Sequence, residues 1–190
     1  MKYIDLPEEI DYSKYNSTSG MSTKAWGVAA WKFLFTSIMG HYPIRINDNN
    51  PEHLLIKESF KNTLTGLSYM MPCIYCRESF KIFLLELPIQ DYLIGRIELM
   101  YWLYLMKEKV NVKLRIQEFK CYSDEKKRLK SLYYSKQISE QEYYKKVTEF
   151  KNQTFLTAAT PTFKEVLDTY ESLRAVCNPV AKICALPKNK

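Results

Sequence analysis

Two cysteines three positions apart, Cys73 and Cys76, stand in the stretch Met71-Pro72-Cys73-Ile74-Tyr75-Cys76-Arg77. Pro72 lacks an N–H and disfavours helix in the residue before it, so it punctuates the chain just ahead of Cys73. From there Phe80, Phe83, Leu84 and Leu87 recur at helical spacing, which places the pair in a first helical turn. Residues three apart share a helix face, so the sulfurs can reach each other and close a disulfide. Unpaired N–H groups and the helix dipole at that end favour a thiolate. This is the chemistry of a dithiol that cycles between reduced and oxidised states.

A CxxC is also half of a zinc site, because structural zinc takes four Cys or His ligands. The remaining candidates are Cys121, Cys177, Cys184, His41 and His53. None forms a second CxxC and the two histidines lie far apart, so no metal is expected. The histidines read as surface or capping residues. A thioredoxin-like redox site needs a βαβ context, and the chain shows little β pattern. An all-helical redox protein with a bound cofactor fits better.

The elements that must position the pair are legible in outline. Residues 1–20 lack periodicity and read as a loosely attached arm. Ser22 or Thr23 caps a helix with Trp26, Ala30, Phe33, Leu34 and Ile38 on its apolar face, ending near Gly40. Tyr42-Pro43 forces an extended exit. Asn50-Pro51-Glu52 opens a second helix through Leu54, Leu55, Phe60, Leu64 and Leu67. The third starts at the CxxC and runs to about Glu86. Asp91 is expected to cap a fourth, with Leu93, Ile94, Ile97, Tyr101, Tyr104 and Leu105 inward to about Val112. Helices of this length on short connections predict a four-helix bundle. Two charged helical segments follow, over 123–135 and 139–150, the second opened by the capping box Ser139-Glu140-Gln141-Glu142; they read as an inserted hairpin. A last helix starts at Thr160-Pro161, turns Phe163, Val166, Leu167 and Tyr170 to the bundle and stops before Asn178-Pro179. Cys177 and Cys184 flank that stop, close enough for a local disulfide. The expectation is an all-α fold: a four-helix bundle plus a short C-terminal fifth helix, with an inserted charged helical segment. Its divisions are an arm at 1–20, a core at 21–121, the insertion at 122–159 and a tail at 160–190.

At 190 residues, 46% of them hydrophobic, the chain is long enough for one domain with a proper core. No apolar run is long enough to span a bilayer, and the first five residues do not start a signal peptide, so a cytoplasmic protein is expected. In that compartment CxxC pairs are catalytic more often than structural. Five cysteines leave at least one unpaired within the chain. Of the net charge of +7, residues 107–151 supply most, with 13 Lys/Arg against 7 Asp/Glu. A basic patch raises nucleic acid or a membrane surface as a partner. The interleaved acids and the excess of Lys over Arg favour a solvated helical insertion with no specific nucleic acid.

Taken together, these residues resemble a known family. Trp26-Gly27-Val28-Ala29-Ala30-Trp31-Lys32-Phe33-Leu34-Phe35, followed by Tyr42-Pro43, is similar to the WGxxxWxxLH…YP opening of the Erv/ALR FAD-linked sulfhydryl oxidases. Pro72-Cys73-Ile74-Tyr75-Cys76-Arg77 with Phe80 looks like that family's PCxxCR segment. Trp102, Val110-Asn111 and Leu114 fall where the family has W-x4-HNxVN-x2-L. Pro161-Thr162-Phe163, Val166, Tyr170-Glu171, Arg174-Ala175, Cys177, Cys184 and Pro187 resemble the tail of its members from large cytoplasmic DNA viruses. The resemblance spans about 24–121 and 160–187, and 122–159 has no placed counterpart. Phe35 stands where the family has His, and Lys107-Glu108 replace the His-Asn of HNxVN. Cys121 matches a family cysteine whose partner position is Tyr104.

The resemblance implies an FAD held in the mouth of the bundle, with Trp26, Gly27, Trp31 and the Phe35 position lining the flavin. Lys107, Val110, Asn111 and Leu114 would lie along its adenosine and phosphate side. Cys73 would be the interchange cysteine, attacked by substrate thiols, and Cys76 the flavin-proximal one. Electrons would pass from protein thiols, or from a thioredoxin-like shuttle, through Cys73 and Cys76 to FAD and then to O2, giving H2O2. Cys177 and Cys184 would be either a shuttle pair or a structural disulfide. The resemblance further implies a homodimer, and for a viral member the host cytoplasm and the virion. The competing class is a flavin-free helical scaffold that binds a partner through its basic region.

Overall fold

Local signals set several of the helix starts. Asn50 accepts hydrogen bonds from the N–H groups of Glu52 and His53, and Pro51, with no N–H of its own to satisfy, fills the first helical position. Ser139 with Glu142 and Thr162 with Glu165 each form a reciprocal capping box. In the computed structural model, which describes residues 20–178 with 11, 13, 180 and 183–185, these signals yield six helices. They are α1 (Thr23–His41), α2 (Pro51–Met70), α3 (Ile74–Glu86), α4 (Arg96–Tyr134), α5 (Glu140–Thr154) and α6 (Phe163–Glu171). A 3-10 turn, Gln90–Tyr92, precedes α4, and a two-stranded antiparallel hairpin, β1 (Val176–Asn178) and β2 (Ile183–Ala185), closes the described chain. The arm expected at 1–20 lies almost wholly outside the described residues.

The fold is the expected helical bundle. Pairs α1–α4 and α2–α3 pack along their lengths, and α6 lies against α1 and α4. One cluster forms the core: Phe35, Ile38 and Tyr42 at the α1 end, Leu64 of α2, Phe80 of α3, Leu99, Trp102, Leu103 and Met106 of α4, and Val166 of α6. Buried polar atoms are satisfied across it. The Tyr42 hydroxyl donates to the Leu93 carbonyl at 2.7 Å and the Trp102 indole to the Leu87 carbonyl at 3.0 Å. Among the described residues no buried side-chain nitrogen or oxygen lacks a partner.

Several expectations are corrected. The face of α1 is turned: Phe33 is 66% exposed and Phe35 is buried. Ile94, just before α4, and Ile97 and Tyr101 on it are exposed, while Leu99, Met100, Trp102, Leu103 and Met106 point inward. The run Leu99–Met106 is apolar or aromatic throughout, so periodicity could not choose its face. Tyr101 and Tyr104 instead meet the Phe163 ring of α6, at 4.9 and 5.5 Å. Asp91 sits in the 3-10 turn, and Gly95 caps α4.

Nor does α4 stop near Val112: it runs unbroken for 39 residues. Its sequence turns charged there, but contains no Gly or Pro to break the backbone. The expected boundary at 121/122 therefore falls inside a helix, and the hairpin's first arm is the distal half of α4. α5 folds back on that half around Leu129, which is buried apart from the main core cluster. α6 ends at Glu171, well before Asn178, and the residues after it form a β-hairpin that the sequence did not suggest. No described helix is long and apolar enough to cross a membrane.

Candidate functional site

Cys73 is the residue at which extended chain becomes helix. It takes β-region angles as the N-cap of α3, and its sulfur accepts the Cys76 N–H at 3.3 Å, the role a Ser or Asp side chain usually fills. Two contacts clasp the approach from the front. Gly20 bridges Cys73 in antiparallel fashion, and the Met21 N–H donates to the Pro72 carbonyl at 3.0 Å. Gly20 is required there: its φ is +77°, and a Cβ would fall 1.9 Å from the Pro72 oxygen. Behind, the Arg77 guanidinium donates to the Met71 carbonyl at 2.5 Å and fixes the α2–α3 link.

The two thiols are free and differ sharply. Burial alone would raise the Cys73 pKa. Hydrogen bonds from the Cys76 thiol and from the N–H groups of Cys76 and Tyr75, with the charge of Lys113, together outweigh it and bring Cys73 below the ordinary thiol value. Cys76 is pushed up to about 11, first by burial, then by its hydrogen bond to Cys73 and the neighbouring negative charge. Cys73 is thus the readier nucleophile and leaving group of the two, and Cys76 holds its proton more tightly.

The residues expected around a cofactor divide into two groups. Trp31, Phe35 and Lys107 come together on the α1–α4 seam. The Trp31 and Phe35 rings lie 6.3 Å apart, and the Lys107 ammonium is 5.8 Å from the Phe35 centroid. Tyr170 of α6 stacks on the Phe35 ring at 4.9 Å. Trp26 is half-buried near the clasp, its indole N–H 3.4 Å from the Met21 carbonyl, and a Cβ on Gly27 would meet nothing within 4 Å. The second group is turned to other partners. Asn111 donates to Thr160 at 3.0 Å, and the same hydroxyl bonds Glu108, itself paired with Arg115. Val110 is half-buried and Leu114 is 41% exposed.

The opposite face of α4, with α3, forms a groove of about 690 Å³ walled by Ile82, Phe83, Leu87, Leu105, Val112 and Ile116. It holds none of the expected cofactor residues. Cys177 and Cys184 face each other across the β-hairpin and are joined by a disulfide. That hairpin lies by the far end of α1, where Cys177 shares a hollow with Thr36, Met39 and Gly40. Along α1, Met39 is about 20 Å from Trp26 at 1.5 Å per residue. Cys121 is exposed and free. The His53 Nδ1 accepts the Asn47 N–H of the loop before α2 at 3.1 Å.

A redox-poised CxxC on a helical bundle, flanked by a tryptophan-bearing first helix, is the arrangement to set against known proteins. Residues 28–130, more than half of the chain, match the model of the Erv1 / Alr family. The chain belongs to the Erv1/Alr family. This family is known for FAD-linked sulfhydryl oxidase activity. The match begins just after Trp26 and Gly27 and continues into the distal half of α4, past Cys121; the tail at 160–187 lies outside it. No curated protein matches the chain.

Sequence reasoning missed two parts of the site. Gly20 carried no motif, and its need appears only when the segment before α1 is laid on Pro72. Lys113, from α4, donates to Ser79 and lies 3.4 Å from the Tyr75 carbonyl. One lysine among many in a charged stretch gave no signal; the packing of α4 beside the start of α3 selects it.

Proposed function

We propose that this protein is an FAD-dependent thiol oxidase that forms disulfide bonds in protein substrates, with Cys73 the interchange cysteine and Cys76 its partner. The observation that carries the reading is the split of the two thiols, Cys73 low and Cys76 high, at the start of α3. The α1–α4 seam supports the cofactor. The Lys107 ammonium is half-buried with no carboxylate partner among the described residues, and burial depresses its pKa. An anion placed against it would offset that desolvation, as a pyrophosphate would. Trp26 and Trp31 offer aromatic faces and Gly27 open space, which fit a flavin dinucleotide, whereas Phe35 is buried and stacked on Tyr170 and presents no free face.

With Cys73 and Cys76 joined as a disulfide, a client thiolate attacks the Cys73 sulfur and releases Cys76, which takes up a proton. A second client thiolate attacks the mixed disulfide, the client disulfide leaves, and Cys73 departs as the stabilised thiolate. The client has then lost two electrons and the CxxC pair has gained them. Bound FAD supplies the two-electron acceptor that returns the pair to the disulfide, with O2 as final oxidant and H2O2 as product. The clasp from Gly20 and Met21 and the Arg77–Met71 contact hold Cys73 in place through the cycle.

Homodimerisation and a kinship with viral members are part of the proposal; the latter rests on the tail pattern. Purified protein should be yellow and should consume O2 with dithiothreitol or a reduced protein, and Cys73→Ser or Cys76→Ser should lower turnover at least about a hundredfold. Protein that purifies colourless and takes up no FAD sinks the proposal and leaves the flavin-free scaffold.

A further inference from the structure

We infer that Lys113 is a positioning residue for the redox pair: its ammonium, brought in from α4, anchors the first turns of α3 and favours the Cys73 thiolate. The inference deepens the oxidase reading and rests on it for its functional meaning. Its geometry stands on its own. Lys113 donates to the Ser79 hydroxyl and lies 3.4 Å from the Tyr75 carbonyl, while the Ser79 hydroxyl donates to that same carbonyl at 2.7 Å. The ammonium therefore sits over the turn that contains both sulfurs. No carboxylate among the described residues forms an ion pair with it, so its charge is not neutralised locally and bears on both thiols. The neighbouring Lys109, by contrast, is paired with Glu86 at 2.7 Å.

The charged and titrating groups that bear on the pair are few. Lys113 comes from α4, Arg77 from α3 itself, and each thiol acts on the other. Arg77 is committed to the Met71 carbonyl and bears on Cys76 alone. Among the described residues, Lys113 is the cation whose charge bears on both sulfurs. It also lines the α3–α4 groove with Ser79, so it stays accessible to solvent and to an approaching client.

The test is the pH dependence of Cys73 alkylation by iodoacetamide in the reduced full-length protein, read at the Cys73 peptide. Lys113→Gln keeps a donor and removes the charge; Lys113→Arg keeps the charge. The Gln variant should move the half-labelling pH up by about half a unit to one unit, a roughly three- to tenfold slower reaction near pH 7. Lys113→Arg and the control Lys109→Gln should stay within about twofold of the unsubstituted protein. A Gln variant that labels as fast as the parent, or an Arg variant as slow as the Gln one, overturns the inference. If Lys113→Gln folds poorly, added salt in the parent protein should raise the same half-labelling pH, and an unmoved profile overturns it. The assay needs neither flavin nor oxygen. A chain with no oxidase activity that keeps the Lys113 dependence defeats only the function proposal, and an active oxidase without that dependence defeats only this inference.

Discussion

Cys73 and Cys76 share one helical turn, yet their protons meet different surroundings. In reduced protein Cys73, its value lowered, gives up its proton before Cys76, whose value is pushed up to about 11. Iodoacetamide should then label Cys73 at least about tenfold faster than Cys76. As pH falls through the Cys73 value both should slow; as it rises toward about 11, Cys76 should catch up. Equal rates at pH 8, read by peptide mapping, would count against the split. Lys107 is the second test at this scale. Lys107→Glu places a carboxylate where the proposal puts an anionic ligand, so flavin content per chain should fall at least about tenfold. Unchanged flavin absorbance would remove Lys107 from the cofactor site.

Among the elements, the segment before α1 and the helix α4 carry the most weight. Gly20→Ala must move the chain away from Pro72, because the added carbon would sit 1.9 Å from its oxygen. Hydrogen exchange at the Met21 amide should rise about tenfold or more, with helical circular dichroism unchanged. A protected Met21 amide in that variant would show that the clasp tolerates a side chain. Trp102 tests the core face of α4. It is fully buried and its indole satisfies the Leu87 carbonyl, so Trp102→Ala should cost about 3–5 kcal/mol in chemical denaturation. A loss near 1 kcal/mol would mean the core closes over the gap.

For the molecule as a whole, the question is how the α4–α5 hairpin relates to the bundle. Its buried Leu129 is not part of the main core, and the Tyr122 and Phe155 rings lie 5.3 Å apart where it joins the rest. We propose that the hairpin is a separable module. Replacing residues 124–153 by a short Gly-Ser turn should leave bundle stability within about 1 kcal/mol and flavin content unchanged, since its contacts lie outside that core. Collapse of the bundle, seen as a lost cooperative melt, would make it integral. Glu118 ties the returning chain down independently, accepting from the amides of Leu156 and Thr157 at 3.2 and 2.9 Å.

The sequence alone determined what local chemistry can specify. Asn50-Pro51, Ser139…Glu142 and Thr162…Glu165 start helices by satisfying N–H groups within their own turn, and Pro72-Cys73 places the dithiol by the same rule. The family motifs were legible for the same reason, since their spacing is a property of single helices. Tertiary packing decided the rest. It chose which face of the uniformly apolar Leu99–Met106 run turns inward, and it carried α4 through a charged stretch that holds no breaker. It also turned Asn111 to Thr160 and brought Lys113 to the start of α3. Each of these depends on which surfaces meet across more than thirty residues of chain, and the free energy of that meeting is not written in either segment by itself.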